Sequence, residues 1–246
     1  MFRLDHKVAI VTGAAQGLGA ATARTLAAQG AIVALADVNF EEVRRVAADC
    51  GPQARAYRVD VSRIPELKDF AAAVARDLGR IDILVNNAGI CPRLPFAEST
   101  EEDWDRLVDV NAKSQYFLMQ AVCPIMRSQG RGRVINVAST GGRTGAIVNA
   151  SIYSGTKGAI AMFTKSVARE VAADGILVNC IAPGVMDTEI MRNFPADRVQ
   201  AIRESIPLKR LGDPREVAAV IAFMASDECS YCTGATFDVN GGWLML

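Results

Sequence analysis

Short, almost wholly apolar runs alternate with longer amphipathic stretches along this chain, and that alternation restricts its fold more than any other feature. The runs are "KVAIVTG", "AIVALAD", "ARAYRVDV", "IDILVNNAG", "GRVINVAS", "ILVNCIAPG" and "ATFDVNGG". Between them the pattern predicts helices over 17–29, 40–49 and about 65–78, then two segments between about 101 and 128. A further helix holds Tyr153 and Lys157 and runs to about Ala173, and more helical sequence separates the last two runs. Near-continuous Val/Ile/Leu strands separated by helices signal a parallel sheet covered on both faces. With right-handed crossovers, the expected architecture is a doubly wound α/β fold of seven strands.

At 246 residues, half of them apolar, the chain can bury roughly 70–75% of its unfolded surface in one domain. No Pro/Gly/Ser-rich linker or repeat divides it, so one domain over 1–246 is expected. The segment 187–211, "DTEIMRNFPADRVQAIRESIPLKRL", leaves the sixth strand with exposed-looking Met and Phe and forms no strand. Ligands of open α/β sheets bind beyond the carboxyl ends of the strands, so this excursion is expected to be a lid. The 27 basic and 27 acidic residues balance without blocks, which argues against nucleic acid or an anionic membrane as partner. No apolar run reaches the ~20 residues of a membrane span, and "MFRLDHKVAIVTG" does not read as a secretory signal. Six scattered cysteines and a single histidine suit a reducing cytoplasm better than a disulfide framework. "CSYC" at 229–232 lacks the further ligands a zinc site needs.

Directly after the first strand stands "TGAAQGLG", with Gly13, Gly17 and Gly19. Glycines at a strand-to-helix turn let backbone approach a pyrophosphate, and the helix N-terminus offers free N–H groups. The spacing is G-x-x-x-G-x-G. Asp37 ends the second strand, where a carboxylate can accept from an adenosine ribose. A 2′-phosphate ~5 Å from it would be repelled by roughly 3 kcal/mol at an effective dielectric near 20. Gln16 and Val38 supply no base to hold such a phosphate, so NAD is favoured over NADP. The other reading of Asp37 is a helix N-cap before "NFEEV". In "YSGTK", Tyr153 and Lys157 stand at i and i+4 and share one helix face.

Together "TGAAQGLG", "NNAG" at 86–89, Asn111, Ser139, "YSGTK" and "PGVMDT" at 183–188 resemble the short-chain dehydrogenase/reductase family in order and spacing. The resemblance spans Lys7 to Gly242 and implies a seven-stranded Rossmann-like sheet. It implies Asn111, Ser139, Tyr153 and Lys157 as the catalytic set, with Asn111 anchoring a water that joins Lys157 to solvent. It places Gly13, Gln16, Gly17, Leu18 and Gly19 on the pyrophosphate and Asp37 on the ribose. Asp60 and Val61 would flank the adenine. Asn87, Ala88 and Gly89 would line the adenosine ribose, and Pro183, Gly184 and Thr188 would lie beside the nicotinamide. Lys157 would also bond the nicotinamide ribose. One departure is Gly155, where many members carry Ala.

Physically, oxidising a secondary alcohol requires a base for the hydroxyl proton, and a free tyrosine, pKa near 10, is seldom ionised at neutral pH. An ammonium ~5 Å away favours the phenolate by roughly 3 kcal/mol, so Tyr153 is expected to be acidified by Lys157. Ser139 can hold the substrate oxygen. By topology the substrate pocket should include Ser139, Gly141, Asn149, Tyr153, Met186 and Ile190, with Cys91, Arg93, Gly142 and Met191 nearby. The reading is an NAD-dependent dehydrogenase acting on a small secondary alcohol, polyol or sugar alcohol, or the matching ketone. A 3-oxoacyl-carrier-protein reductase is the alternative, though such members usually use NADPH. A non-catalytic nicotinamide-binding sensor or scaffold is a third, and it would be expected to lose Tyr or Lys. Apolar residues cover a broad arc of the helices at 111–128 and 151–173, including Tyr116, Phe117, Ile125, Met162, Phe163 and Val167. With the family habit of pairing through these helices, they imply a homotetramer.

Overall fold

The computed structural model describes residues 2–145, 148–188, 191 and 195–245. Seven strands form one parallel sheet in the order β3-β2-β1-β4-β5-β6-β7. They are β1 (Val8–Thr12), β2 (Ile32–Asp37), β3 (Arg55–Arg58), β4 (Ile83–Asn86), β5 (Gly132–Val137), β6 (Ile176–Pro183) and β7 (Thr236–Val239). The order reverses between β1 and β4, and at such a switch point the loops diverge and leave a crevice.

The helices that matter for the site are α1 (Gly17–Ala28), α2 (Phe40–Asp49), α3 (Ile64–Leu78), α4 (Glu101–Val108) and α5 (Ser114–Ser128). They continue with α6 (Gly141–Thr144), α7 (Ser151–Val171), α8 (Ala196–Ser205) and α9 (Pro214–Ala225). Side-chain alternation along the central strands feeds two cores. Ala9, Val11, Leu35 and Ile135 face α1, α2 and α9 through Leu26, Val43 and Ile221. Val8, Ile10, Leu84 and Val134 face α3, α5 and α7 through Phe70, Leu118 and Val171. Burial on both faces explains why the central strands are mostly apolar on both sides.

Some expectations shift. The third strand ends at Arg58, so Asp60 and Val61 lie in the turn beyond it, where the Asp60 carboxylate accepts from the Ser62 N–H at 3.0 Å and hydroxyl at 2.7 Å. The two helical segments expected over 101–128 are joined by a π-helical turn, Asp109–Lys113, which carries Asn111. Within the 187–211 excursion, Met191 is buried against Ile206 and Leu211, not exposed as its sequence suggested, because the excursion has a small apolar cluster of its own. Its base is tied by the Asp187 N–H donating to the Gly212 carbonyl at 2.8 Å. Phe194 and Ile190 fall outside the described residues. Among the described residues no helix is long and apolar enough to cross a membrane.

Candidate active site

Turns at the carboxyl ends of β1, β4, β5 and β6 converge on a cleft of 490 Å³. At one end is the turn between β1 and α1. Gly13 (φ 64°) and Gly17 (φ 54°) are in the left-handed region that side chains resist, and a Cβ on Gly13 would lie 2.8 Å from Ala88 Cα. Gln16, the N-cap residue of α1, makes no side-chain cap bond, and no acid occupies the first turn. Gly17, Leu18 and Gly19 line the cleft, and as the first turn of an uncapped helix their N–H groups lack intrahelical acceptors, which suits an anionic pyrophosphate.

Asp37 lines the same end. Its carboxylate accepts from the Ala15 N–H at 3.1 Å and the Asn39 N–H at 3.0 Å, which fixes it beside the glycine turn. The cap of α2 is Asn39, whose side chain accepts from Glu42 N–H, so Asp37 is not spent on that task. Val38 beside it is 59% exposed and brings no charge. Asp60, Val61, Asn87, Ala88 and Gly89 line the adjoining wall. Asn87 donates to the carbonyls of Thr12 (2.9 Å) and Gly13 (3.1 Å), and the Thr12 hydroxyl accepts from the N–H groups of Asn87 and Ala88. Thr12 thereby clamps β1 to β4, a role the "VTG" run hinted at only by its position.

Ser139, Tyr153 and Lys157 line the other end, beside Pro183, Gly184, Met186 and Thr188. Ser139 stands close enough to Tyr153 to favour its ionised form, and its hydroxyl accepts from the Gly141 N–H at 3.1 Å. Lys157 is 4% exposed; its Nζ donates to the Val137 carbonyl at 2.7 Å and stands 5.7 Å from the centre of the Tyr153 ring. Gly142 lets α6 rest on α7, for a Cβ there would lie 2.5 Å from the Lys157 carbonyl carbon.

The electrostatics correct one expectation. Burial pushes the Tyr153 hydroxyl up to about 12, and Ser139 only partly opposes this. Burial also lowers Lys157 to about 8. The phenol is therefore not acidified in the cofactor-free chain, because desolvation penalises both charges before they can help each other.

Asn111 does not line the cleft. It is fully buried behind it, accepting from the Ile90 N–H at 2.8 Å and donating to the Ile90 carbonyl (3.0 Å) and the Thr156 hydroxyl (3.2 Å). Its amide clips the loop after β4 to α7, one residue from Lys157. Of the expected substrate residues, Gly141 and Asn149 are also absent from the lining. Gly141 supports Ser139 through its backbone, and Asn149 (φ 57°) uses its carbonyl to accept from Leu94 N–H at 2.7 Å in the outer loop. Arg93 is exposed there and donates to the Val148 carbonyl at 2.9 Å. Cys91 does line the cleft, together with Val59, Ile90, Val110 and Ala138, which the motifs flank but do not name. Burial raises its thiol above the ordinary range, which suits a filler and not a nucleophile. Among the described residues no His/Cys/Asp/Glu group could hold a metal ion.

Comparison with known proteins adds the family. A family model described as "Enoyl-(Acyl carrier protein) reductase" matches residues 13–244. The chain is 37% identical over 255 aligned positions to the galactitol 2-dehydrogenase of Agrobacterium fabrum, covering 98% of this chain and 99% of that one. It is 37% identical over 243 positions to the 3-oxoacyl-(acyl-carrier-protein) reductase FabG of Vibrio cholerae, covering 99% of each. A solved structure from Sinorhizobium meliloti 1021, assigned as a short-chain alcohol dehydrogenase, superposes with a TM-score of 0.93 at 33% identity over 98% of both chains.

Proposed function

The chain belongs to the short-chain dehydrogenase/reductase family, and from that membership we propose that it is an NAD-dependent dehydrogenase of a small secondary alcohol. Polyols, sugar alcohols and related hydroxy compounds are the substrate class, or the matching ketones in reverse. The observation that carries this reading is one cleft with an uncapped glycine turn and Asp37 at one end and Ser139, Tyr153 and Lys157 at the other.

Bound NAD would supply the hydride acceptor and a positive ring that favours the phenolate. Tyr153 then takes the alcohol proton, while Ser139 holds the substrate oxygen as negative charge develops on it. Lys157 adds positive charge near the phenol and would bond the nicotinamide ribose. Thr188 would hold the carboxamide. Asn111 keeps the Ile90 loop against α7, and the segment 187–211 closes over the substrate.

A 3-oxoacyl-carrier-protein reductase is the second reading, favoured by the Vibrio cholerae relative. Asp37 opposes it by repelling a 2′-phosphate. A sensor or scaffold that only binds nicotinamide is disfavoured because Ser139, Tyr153 and Lys157 are all in place. Tyr116 (42% exposed) and Met162 (56% exposed) present an apolar face on α5 and α7, which supports pairing through these helices; a homotetramer in a reducing cytoplasm completes the reading.

The test is an absorbance screen at 340 nm with NAD and NADP against polyols, sugars and secondary alcohols, and with NADH and NADPH against acetoacetyl thioesters. Turnover of a polyol or sugar alcohol with NAD is expected. Turnover confined to the thioester with NADPH would establish the second reading instead.

A further inference from the structure

Lys157 does not hold the Val137 carbonyl alone. Gln115, in the first turn of α5 and 2% exposed, donates to the same oxygen from Nε2 at 3.3 Å. Donors from two helices thus meet on the last carbonyl of β5, just before Ser139. A carbonyl oxygen has two lone pairs and can accept both, but two donors on one acceptor draw on the same charge and repel each other. This bond also fixes the amide, since turning it over would set oxygen against oxygen. So fixed, the Gln115 Oε1 is buried with no donor among the described residues. An unpaired buried acceptor costs about 1–3 kcal/mol. Met or Leu would avoid that cost, so what sets Gln115 apart from them is its N–H on Val137.

The rest of its surroundings hold it still. The Gln115 backbone carbonyl accepts from Asn86 Nδ2 at 3.3 Å, and Asn86 donates to Asn136 Oδ1 at 2.9 Å. Asn136 in turn donates to the Thr164 hydroxyl on α7 at 2.9 Å. This buried chain of polar groups connects α5, β4, β5 and α7. The groups acting on Lys157 are Cys180 from β6 and Cys91 from the loop after β4, with the Tyr153 ring from its own helix. None is a carboxylate, so a neutral N–H dipole is not overwhelmed by a full countercharge.

We propose that Gln115 is a positioning residue of the proton-transfer site: by sharing the Val137 carbonyl with Lys157, it fixes where the amine stands and weakens its hold on its proton. Its effect runs in the same direction as burial, which already lowers Lys157. The proposal deepens, and rests on, the reading of Lys157 as a catalytic group.

The experiment is a double-mutant cycle on unfolding free energy, with wild type, Lys157→Met, Gln115→Met and the double variant in urea from pH 7 to 10. The difference between a protein that keeps Lys157 and its Lys157→Met counterpart reports the pH at which the amine loses its proton. In the Gln115→Met background that pH is expected to be higher by about 0.5 unit or more, a roughly threefold gain in proton affinity. The alkaline limb of kcat/KM should move the same way. Superimposable profiles in the two backgrounds overturn the proposal, as does a loss of stability in Gln115→Met that is the same at every pH. Gln115→Glu keeps the shape and serves if the Met variant does not fold; its carboxylate should raise the proton affinity of Lys157, and no change there also overturns it. The cycle needs no substrate. A shifted affinity in a protein without nicotinamide-dependent turnover sinks the dehydrogenase reading, and the positioning role with it, leaving only the coupling of Gln115 to Lys157, while turnover with an unshifted affinity overturns the proposal alone.

Discussion

Replacing Lys157 by Met should make the cofactor-free protein more stable at pH 7, although it removes an amine proposed to act in the proton transfer. The amine is 4% exposed and burial lowers it from 10.5 to about 8. Below pH 8 the lysine is protonated in both folded and unfolded chains, and the folded state carries a penalty of roughly 3 kcal/mol. Losing the hydrogen bond to Val137 offsets about 1 kcal/mol of the relief, since Gln115 still satisfies that carbonyl. A net gain of about 2 kcal/mol at pH 7 follows. The pH dependence is the sharper test. The unfolded chain binds the extra proton between pH 8 and 10.5, so the wild type gains stability with rising pH in that window. The advantage of the variant should shrink there by up to about 1.4 kcal/mol per pH unit. The buried thiols of Cys50 and Cys123, raised to about 11, and Tyr57, raised to about 12, destabilise both proteins as pH rises and cancel in the difference. Urea denaturation at pH 7, 8, 9 and 10 measures this. A stability difference that does not change with pH, or a wild type more stable at pH 7, would refute the claim that Lys157 is charged at a desolvation cost.

Tyr153→Phe should lower kcat by about 10²–10⁴-fold, as loss of a general base does, while NAD affinity by fluorescence titration stays within about threefold; retained turnover would remove Tyr153 from the chemistry. Asp37→Ala should narrow the NAD-over-NADP ratio of kcat/KM by about tenfold or more, from the loss of roughly 3 kcal/mol of repulsion. Both cofactors should also bind less tightly, because Ala15 and Asn39 lose their acceptor; an unchanged ratio assigns the preference elsewhere. Gly155→Ala should stabilise the protein by about 0.5–1 kcal/mol in thermal or urea unfolding. The position is exposed inside α7 and a Cβ there meets nothing within 4 Å, so a destabilised variant would mean this helix face is covered in solution.

The central strands were legible because they are buried on both faces, and a parallel strand in that setting has little polar surface to disguise it, whereas the edge strands β3 and β7 are partly exposed. Residues whose function is to be backbone were legible too, since Gly13 and Gly17 sit where φ is positive. Gln115, Thr12 and the π turn were not. Gln115 reads as one more polar residue on an amphipathic helix, and its meaning depends on Val137, 22 positions away and on another element. Thr12 looks like the end of a strand until β4 is laid beside β1. Asn149 misled for the opposite reason: topology puts it near the cleft, but a positive φ and the Leu94 bond turn its backbone to the outer loop. The charge state was least legible, because i and i+4 spacing reports proximity and says nothing of desolvation.

That last gap bears on how the site can work. A phenol at about 12 is ionised in only about one molecule in 10⁵ at pH 7. With Nζ 5.7 Å from the ring centre, a protonated Lys157 offers roughly 3 kcal/mol at an effective dielectric near 20, or about two pKa units. Lys157 lowered to about 8 is still mostly protonated at pH 7, so this contribution is available there and fades above pH 8. Burial nevertheless holds the phenol at about 12 with Lys157 in place. Under the proposed mechanism, further acidification would come from charge that arrives with the bound cofactor. Proton removal would then follow cofactor binding, which ties the two events together without a moving part.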